Sequence, residues 1–263
     1  MNMQMSPSKI RIADSFAKAA GSYDTYAQFQ RDVADTLLSR IPDRKTTRIL
    51  DIGSGTGYCA SSLMPVYPQS CITSLDIADA MLLHARPRGN SECENWVCGD
   101  GESLPFFDNS FDLVVSSLAM QWCTDPVMFC QEIFRVLKPG AHAFVSTLAE
   151  KTLTELRESW SSIDSFVHVN TFLPYGEIVK CLGQVPFSRV TSDNQQEFCF
   201  YSSFNALCKE LKGIGAHNIN AGQRQGLTGK DKFRKVKAHF ERNAETDKGI
   251  SVTWDIVLIE MEK

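Results

Sequence analysis

The sequence predicts an α/β fold built on a mostly parallel sheet with flanking helices. Three observations carry that reading. Short apolar runs alternate with helix-patterned segments between residues 48 and 147. The first run passes directly into Gly53-Ser54-Gly55-Thr56-Gly57. The next two runs end close to a carboxylate, at Asp76 and Asp100. Strands alternating with helices favour parallel pairing through right-handed crossovers.

Taken in order, residues 1–10 read as a loose polar tail. Residues 14–38 place Phe16, Tyr23, Tyr26, Val33 and Leu37 on a rough helical face, broken at Gly21-Ser22 and ended by Ile41-Pro42-Asp43. Arg48-Ile49-Leu50-Asp51-Ile52 reads as a short buried strand, and residues 58–64 as the helix after its glycine turn. Residues 71–76 form a second strand and 80–84 a helix; 96–98 form a third strand and 111–116 a fourth. A helix over 128–137 stops at Lys138-Pro139-Gly140, and 141–147 form a fifth strand. Beyond residue 150 the rhythm loosens: helices are expected over 153–162, 175–182, 204–212 and 231–243, with strands over 198–201 and 250–260.

Composition narrows the function. With 43% hydrophobic and 22% charged residues the chain is suited to a packed core rather than to disorder. A net charge of −4 argues against a protein whose whole surface grips nucleic acid. No apolar run reaches the roughly 18 residues of a membrane span. The first ten residues lack a basic stretch leading into an apolar one, so no secretion signal and a cytoplasmic location are expected. Nine cysteines without a CxxC pair read as reduced thiols, and the five scattered histidines suggest no metal site.

The chemistry concentrates behind three strands. Alternating glycines after the first strand allow a tight turn and a close ligand approach, and the following helix offers its N-terminal amides. The spacing departs from the dinucleotide fingerprint GxGxxG, and no Gly-Lys-Ser/Thr closes a phosphate loop. A carboxylate at Asp76 is placed to accept from ribose hydroxyls. Gly99-Asp100-Gly101 is placed to accept from an exocyclic amine. A plain strand-to-helix turn, a helix N-cap or a loop turn accounts for each signal alone; the ordered set of three is far more specific.

This pattern resembles the class I S-adenosylmethionine-dependent methyltransferases. The resemblance rests on residues 50–57, on Asp76-Ile77-Ala78-Asp79-Ala80-Met81-Leu82, on Gly99-Asp100 with Leu104-Pro105-Phe106, on Ser110-Phe111-Asp112-Leu113-Val114 and on Arg135-Val136-Leu137-Lys138-Pro139-Gly140. It implies a Rossmann-like, mostly parallel seven-stranded sheet with an antiparallel last strand. It implies S-adenosyl-L-methionine as cofactor, with the loop of Gly53, Ser54, Gly55 and Gly57 at its methionyl part, Asp76 at the ribose and Asp100 at the adenine, and with Asp51, Ile77, Met81, Gly101 and Ser117 completing the expected cofactor-binding set.

Further segments are similar to the BioC family, the malonyl-acyl-carrier-protein O-methyltransferases of biotin synthesis. They are residues 16–24 with Gln28-Phe29-Gln30, Ser117-Leu118-Ala119-Met120-Gln121-Trp122, Phe172-Leu173-Pro174 and Leu211-Lys212-Gly213-Ile214-Gly215-Ala216 with Leu227-Thr228. The similarity spans residues 15–260 and is weakest over 186–197 and 221–226. Ser54 stands where many relatives carry cysteine, and Gly101 where a larger residue often follows. The resemblance implies one unit: N-terminal helices over 1–45, a cofactor-binding core over 46–150, a lid-like, substrate-covering insertion over 151–249 and a closing strand over 250–263. It implies methylation of a malonyl carboxylate carried by acyl carrier protein or coenzyme A.

A carboxylate is already anionic at neutral pH, so this transfer needs no general base. It needs a dry, aligned site. Tyr23, Gln121 and Trp122 are the candidates at the reacting centre, and Lys212 and Arg224 the candidates for the substrate carboxylate. A solvated surface charge is the plain alternative for Lys212 and Arg224, core packing for Tyr23 and Trp122, and a structural hydrogen bond for Gln121. The basic run Lys230, Lys232, Arg234, Lys235, Lys237 and Arg242 reads as a solvated helix face or as a docking surface for an acidic carrier. A methyltransferase for a quinone precursor or another metabolite fits the cofactor half equally well. A binding protein that keeps the fold without catalysis is the reading from another class.

Overall fold

The structure, a computed structural model, describes residues 7–86, 94–216 and 229–263. Strand β1 (Arg48–Ile52) buries four residues in succession instead of alternating. That pattern belongs to a strand covered on both faces. It pairs in parallel with β2 (Cys71–Asp76) on one side and β4 (Phe111–Ser117) on the other. β3 (Glu94–Cys98) extends the sheet past β2, and β5 (Leu137–Leu148) extends it past β4. β8 (Gly249–Glu262) then runs antiparallel to β5, and β6 (Arg189–Tyr201) antiparallel to β8. The order is β3-β2-β1-β4-β5-β8-β6, with the two-residue β7 (Glu245–Thr246) hooked onto β8. The chain reverses its direction of travel across the sheet between β1 and β4. In open parallel sheets the crevice outside the strands' carboxyl ends at such a point is where ligands sit.

Helices cover both faces. Those on one side include α3 (Gln28–Leu38), α4 (Tyr58–Leu63), α7 (Thr154–Ser161), α9 (Phe204–Gly213) and α10 (Lys230–Ala244), around Phe29, Leu37, Phe144, Phe204, Phe240 and Trp254. On the other, α6 (Pro126–Val136) and α8 (Tyr175–Leu182) bury Phe129, Ile133, Ile178 and Leu182. Local chemistry fixes the starts of α6 and α9. The Asp125 carboxylate accepts from the amides of Val127 and Met128 at 3.0 and 3.1 Å, with Pro126 in the first turn. The Ser203 hydroxyl accepts from the amide of Ala206 at 3.2 Å. A separate small cluster joins Ala20 to Ala78 and Met81 of α5 (Asp79–Ala85), with Phe16 and Tyr23 packed against it. No helix among the described residues is long and apolar enough to cross a membrane.

Three expectations are corrected. The first ten residues are not all a loose tail, because α1 runs over Pro7–Ala19. Its order comes from distant partners: Lys9 pairs with Asp100 and Glu102, and the Ser15 hydroxyl donates to the carbonyl of Gly215 at 2.9 Å. The strand expected over 198–201 is the end of the 13-residue β6, whose polar first half is ordered by register with β8 from Arg189↔Glu262 onward. The insertion after residue 150 therefore extends the sheet as well as covering it. β5 begins at Leu137, so Lys138-Pro139-Gly140 lies inside a strand rather than between elements. Between Gly21-Ser22 and α3 the chain makes only the one-turn α2 (Tyr23–Tyr26).

Candidate active site

The turn out of β1 is built by glycine. Gly53, Gly55 and Gly57 all hold left-handed backbone, with φ of 70°, 53° and 83°. Side chains other than glycine rarely adopt that region. A Cβ on Gly53 would also stand 2.4 Å from the Cβ of Ala119, so the turn needs glycine there twice over. The amides of Gly53 and Ser54 donate to the carbonyl of Leu75 at 2.7 and 3.0 Å, which ties the turn to β2.

Asp76 ends β2 and serves as the anchor of this turn. Its Oδ2 accepts from the Gly55 amide and its Oδ1 from the Ala78 amide, both at 2.8 Å. Burial raises its pKa, and these amides oppose the rise. Asp51 lies directly behind, 1% exposed, with Oδ2 unpartnered among the described residues. Burial first, and then the charge of Asp76, pushes its carboxyl up to about 7. The Ser54 hydroxyl is likewise buried and unpartnered among the described residues.

Past β3, the Asp100 Oδ1 accepts from the Glu102 amide at 3.0 Å. Its Oδ2 takes the Lys9 ammonium, which also reaches Glu102 at 2.7 Å. Glu102 in turn accepts from the amides of Thr124 and Asp125 at 3.0 and 2.7 Å. Gly101 packs close: a Cβ there would meet Ile52 and Phe129 at 3.1 Å, which accounts for the small residue.

The end of β4 carries the last part. Leu118 is left-handed at φ 52° without being glycine. Such strain persists only where surroundings over-determine it. Here the Leu118 amide donates to the Ser146 carbonyl at 3.0 Å, and its carbonyl accepts from the Gln121 side-chain amide at 2.7 Å. The Thr147 hydroxyl donates to the Gln121 Oε1 at 3.1 Å. Both polar ends of Gln121 therefore hold the turn. Trp122 meets Phe16 edge to face, with ring centroids 5.3 Å apart.

These elements enclose two cavities. The first lies between α1 and the strand ends and is lined by Gly53, Gly55, Asp76, Ile77, Met81, Asp100, Gly101 and Ser117, with Lys9 above them. The second, of about 260 Å³, is mainly apolar and lies among α7, α9, Trp254 and residues 168–172; Gln121 and Lys212 line it. Phe16, Tyr23, Leu118 and Trp122 line both, so the cavities meet at these four side chains. Burial, followed by the charge of Asp76, pushes the Tyr23 phenol well above its ordinary value, which keeps its hydroxyl protonated at this junction.

The expected residues thus divide. Tyr23, Gly53, Gly55, Asp76, Ile77, Met81, Asp100, Gly101, Ser117 and Trp122 come together in the first cavity. Asp51, Ser54 and Gly57 do not line it; Asp51 and Ser54 lie buried behind, and Gly57 turns the chain into α4 against the Trp96 ring. Lys212 is exposed on α9 at the second cavity, and Arg224 lies outside the described residues. Sequence reasoning missed Lys9, Phe16, Leu118, Trp160 and His168. Phe16 and Leu118 lie in segments similar to the family, and Asp164 and His168 share a four-residue spacing; Lys9 gave no signal, because its contact joins segments far apart in the chain.

A glycine turn backed by strand-end carboxylates at the switch point of a parallel sheet defines a class I methyltransferase, and residues 50–145 match a family model described as methyltransferase domain. Phosphoethanolamine N-methyltransferase 2 of Haemonchus contortus, solved in complex with S-adenosyl-L-methionine, shares the fold with a TM-score of 0.60 at 17% identity, over 94% of this chain and 57% of that one. The malonyl-[acyl-carrier protein] O-methyltransferase of Hahella chejuensis is 35% identical over 94% of this chain and 88% of its own length. The chain belongs to that malonyl-[acyl-carrier protein] O-methyltransferase family. It is also 38% identical, over 99% of its length, to the biotin biosynthesis bifunctional protein BioHC of Teredinibacter turnerae, and it spans about half (48%) of that relative.

Proposed function

We propose that the protein transfers a methyl group from S-adenosyl-L-methionine to the free carboxylate of a malonyl thioester borne by acyl carrier protein. The observation that carries this is the meeting of two unlike cavities at Phe16, Tyr23, Leu118 and Trp122. The first is walled by the carboxylates of Asp76, Asp100 and Glu102 against the single ammonium of Lys9, with Asp51 behind it, so its lining is net negative. Such a lining repels a nucleotide phosphate and favours a nucleoside that carries a cationic sulfonium.

When bound, the cofactor supplies an electrophilic methyl; the carboxylate oxygen forms the new C–O bond as the S–CH₃ bond breaks, and its electron pair stays on sulfur. The chain's residues have positioning to do, with no proton to move. Asp76 presents two oxygens to ribose hydroxyls, and Asp100 is placed for the adenine amine. The rings of Phe16 and Trp122 exclude water at the junction, which strengthens every electrostatic contact there. Tyr23 keeps a phenolic proton available as a donor to the attacking carboxylate. Gln121 fixes the strained Leu118 turn on which the junction rests.

Acyl carrier protein is an acidic partner, and α10 offers it exposed Lys230, Arg234, Lys235 and Arg242. α10 packs on α7, whose Leu156 and Trp160 line the second cavity, so a carrier docked there stands beside the acyl pocket. The test is transfer of labelled methyl to malonyl-acyl-carrier-protein, malonyl-coenzyme A and acetyl-coenzyme A in parallel. Base-labile label is expected on the malonyl substrates alone, and raised salt should increase KM for the carrier-borne substrate more than for the coenzyme A form. Tight cofactor binding by calorimetry without label on any substrate overturns the malonyl reading and favours a metabolite methyltransferase.

A further inference from the structure

An apolar cavity that accepts a carboxylate must supply a fixed donor to it. Lys212 is exposed on α9 and makes no contact that fixes its ammonium among the described residues. Both polar ends of the Gln121 amide are spent on the chain itself. Asn170 donates to the carbonyl of Ala216 at 3.3 Å. Tyr23 donates at the junction with the cofactor cavity; within the second cavity, His168 differs from the other three.

The His168 ring lies flat on Trp160, with centroids 3.7 Å apart and planes 12° from parallel. Its Nε2 stands 2.7 Å from Oδ1 of Asp164. The other oxygen of Asp164 accepts from the Lys232 ammonium at 2.9 Å. Lys232 foremost, with help from His168, holds the Asp164 carboxyl down at about 2, so it is an ionised acceptor. An acceptor can only face a ring nitrogen that carries a proton, which assigns the hydrogen to Nε2. Nδ1 then has no hydrogen bond among the described residues, and the ring lines the second cavity. By the same rule a substrate carboxylate that faces Nδ1 requires a proton there too, so the ring that binds it is doubly protonated, with the Asp164 carboxylate on its other side. The charged groups around it are Asp164 on its own loop, Lys232 on α10 and Lys212 lining the same cavity.

We infer that His168, aimed by Asp164 and Trp160, is the specificity-determining residue of the acyl cavity, offering Nδ1–H to the free carboxylate of the substrate. The inference rests on the proposed malonyl reaction and names the residue that distinguishes a malonyl group from a neutral acyl group. His168→Gln is the informative variant, because a glutamine amide reaches Asp164 as Nε2 does but leaves nothing at Nδ1. Affinities for malonyl-coenzyme A and for its methyl ester are measured by calorimetry, together with steady-state kinetics and cofactor affinity. Wild type should prefer the acid. His168→Gln should lose that preference and raise the substrate KM at least tenfold, the scale of a charge-assisted hydrogen bond, with a smaller fall in kcat and unchanged cofactor affinity. Asp164→Asn should move in the same direction. Retained preference in His168→Gln, or its loss in Lys212→Ala instead, overturns the assignment. Wild type that binds the acid selectively but methylates nothing refutes the reaction and leaves the anion site standing; wild type without the preference refutes the site.

Discussion

Replacing Asp51 with asparagine tests the electrostatics of the cofactor cavity. Asp51 is buried behind the glycine turn with one oxygen unpartnered among the described residues, and its carboxyl is lifted from 3.8 to about 7 by burial and by Asp76. A raised acid binds its proton more tightly in the folded chain than in the unfolded one. The stability it contributes is complete below pH 3.8 and is lost as pH climbs through about 7. At about 1.4 kcal/mol per pH unit, the interval corresponds to about 4 kcal/mol in all, of which about 2–3 kcal/mol falls between pH 5 and 8. An asparagine at this position carries no such dependence. Urea unfolding of wild type and Asp51→Asn at pH 5, 6, 7 and 8 gives the difference directly, and other titrating groups cancel in it. The advantage of the variant should grow by about 2–3 kcal/mol across that range. Parallel pH profiles would refute the claim that burial and Asp76 raise the Asp51 carboxyl. The same reasoning predicts that a sulfonium ligand, by favouring the ionised form, releases close to half a proton per chain at pH 7, read by calorimetry in two buffers of different ionisation enthalpy.

Gly53→Ala should cost about 1–3 kcal/mol, because alanine at φ 70° is strained and its Cβ meets Ala119 at 2.4 Å. Cofactor binding should fall with it, and a variant of unchanged affinity would remove the turn from the site. Lys9→Met strands Asp100 and Glu102 as unpaired, largely buried carboxylates, at a cost of about 3 kcal/mol at neutral pH. Adding Glu102→Gln should return part of that loss in urea unfolding, and strict additivity of the two would show that the ion pairs are not coupled.

The cofactor half of the site was legible because its parts are local. Leu50 to Gly57, Asp76 and Asp100 each sit at the end of a strand whose burial pattern announces it, so motif and position arrive together. The helix over Tyr175–Leu182 was legible for the same reason. What failed depended on contacts across the chain. Lys9 finds Asp100 at a separation of 91 residues, and α1 owes its start to that contact rather than to its composition. β6 reads as polar loop over much of its length because an edge strand needs apolar residues on neither exposed face. His168 looked scattered because Trp160 stacks on it from α7, while its partner Asp164 is held by Lys232 from α10.

Residues 211–216 show how a motif can be found and its reason missed. Lys212 drew attention there as the charged candidate, yet the glycines beside it carry the geometry. A Cβ on Gly213 would stand 2.1 Å from the Tyr26 ring, and one on Gly215, at φ 73°, would meet Ala19 and the Ser15 carbonyl at 3.0 Å. The hydroxyls of Ser22 and Ser15 donate to the carbonyls of Gly213 and Gly215, both at 2.9 Å. The segment is thus pressed against α1 and α2 by missing side chains and by paired backbone. Phe16 and Tyr23, which line both cavities, stand on those two helices. Any residue larger than glycine at 213 pushes the roof from the junction where the two cavities meet, so the segment's sequence is set by the closure of the site before any charge on it is considered.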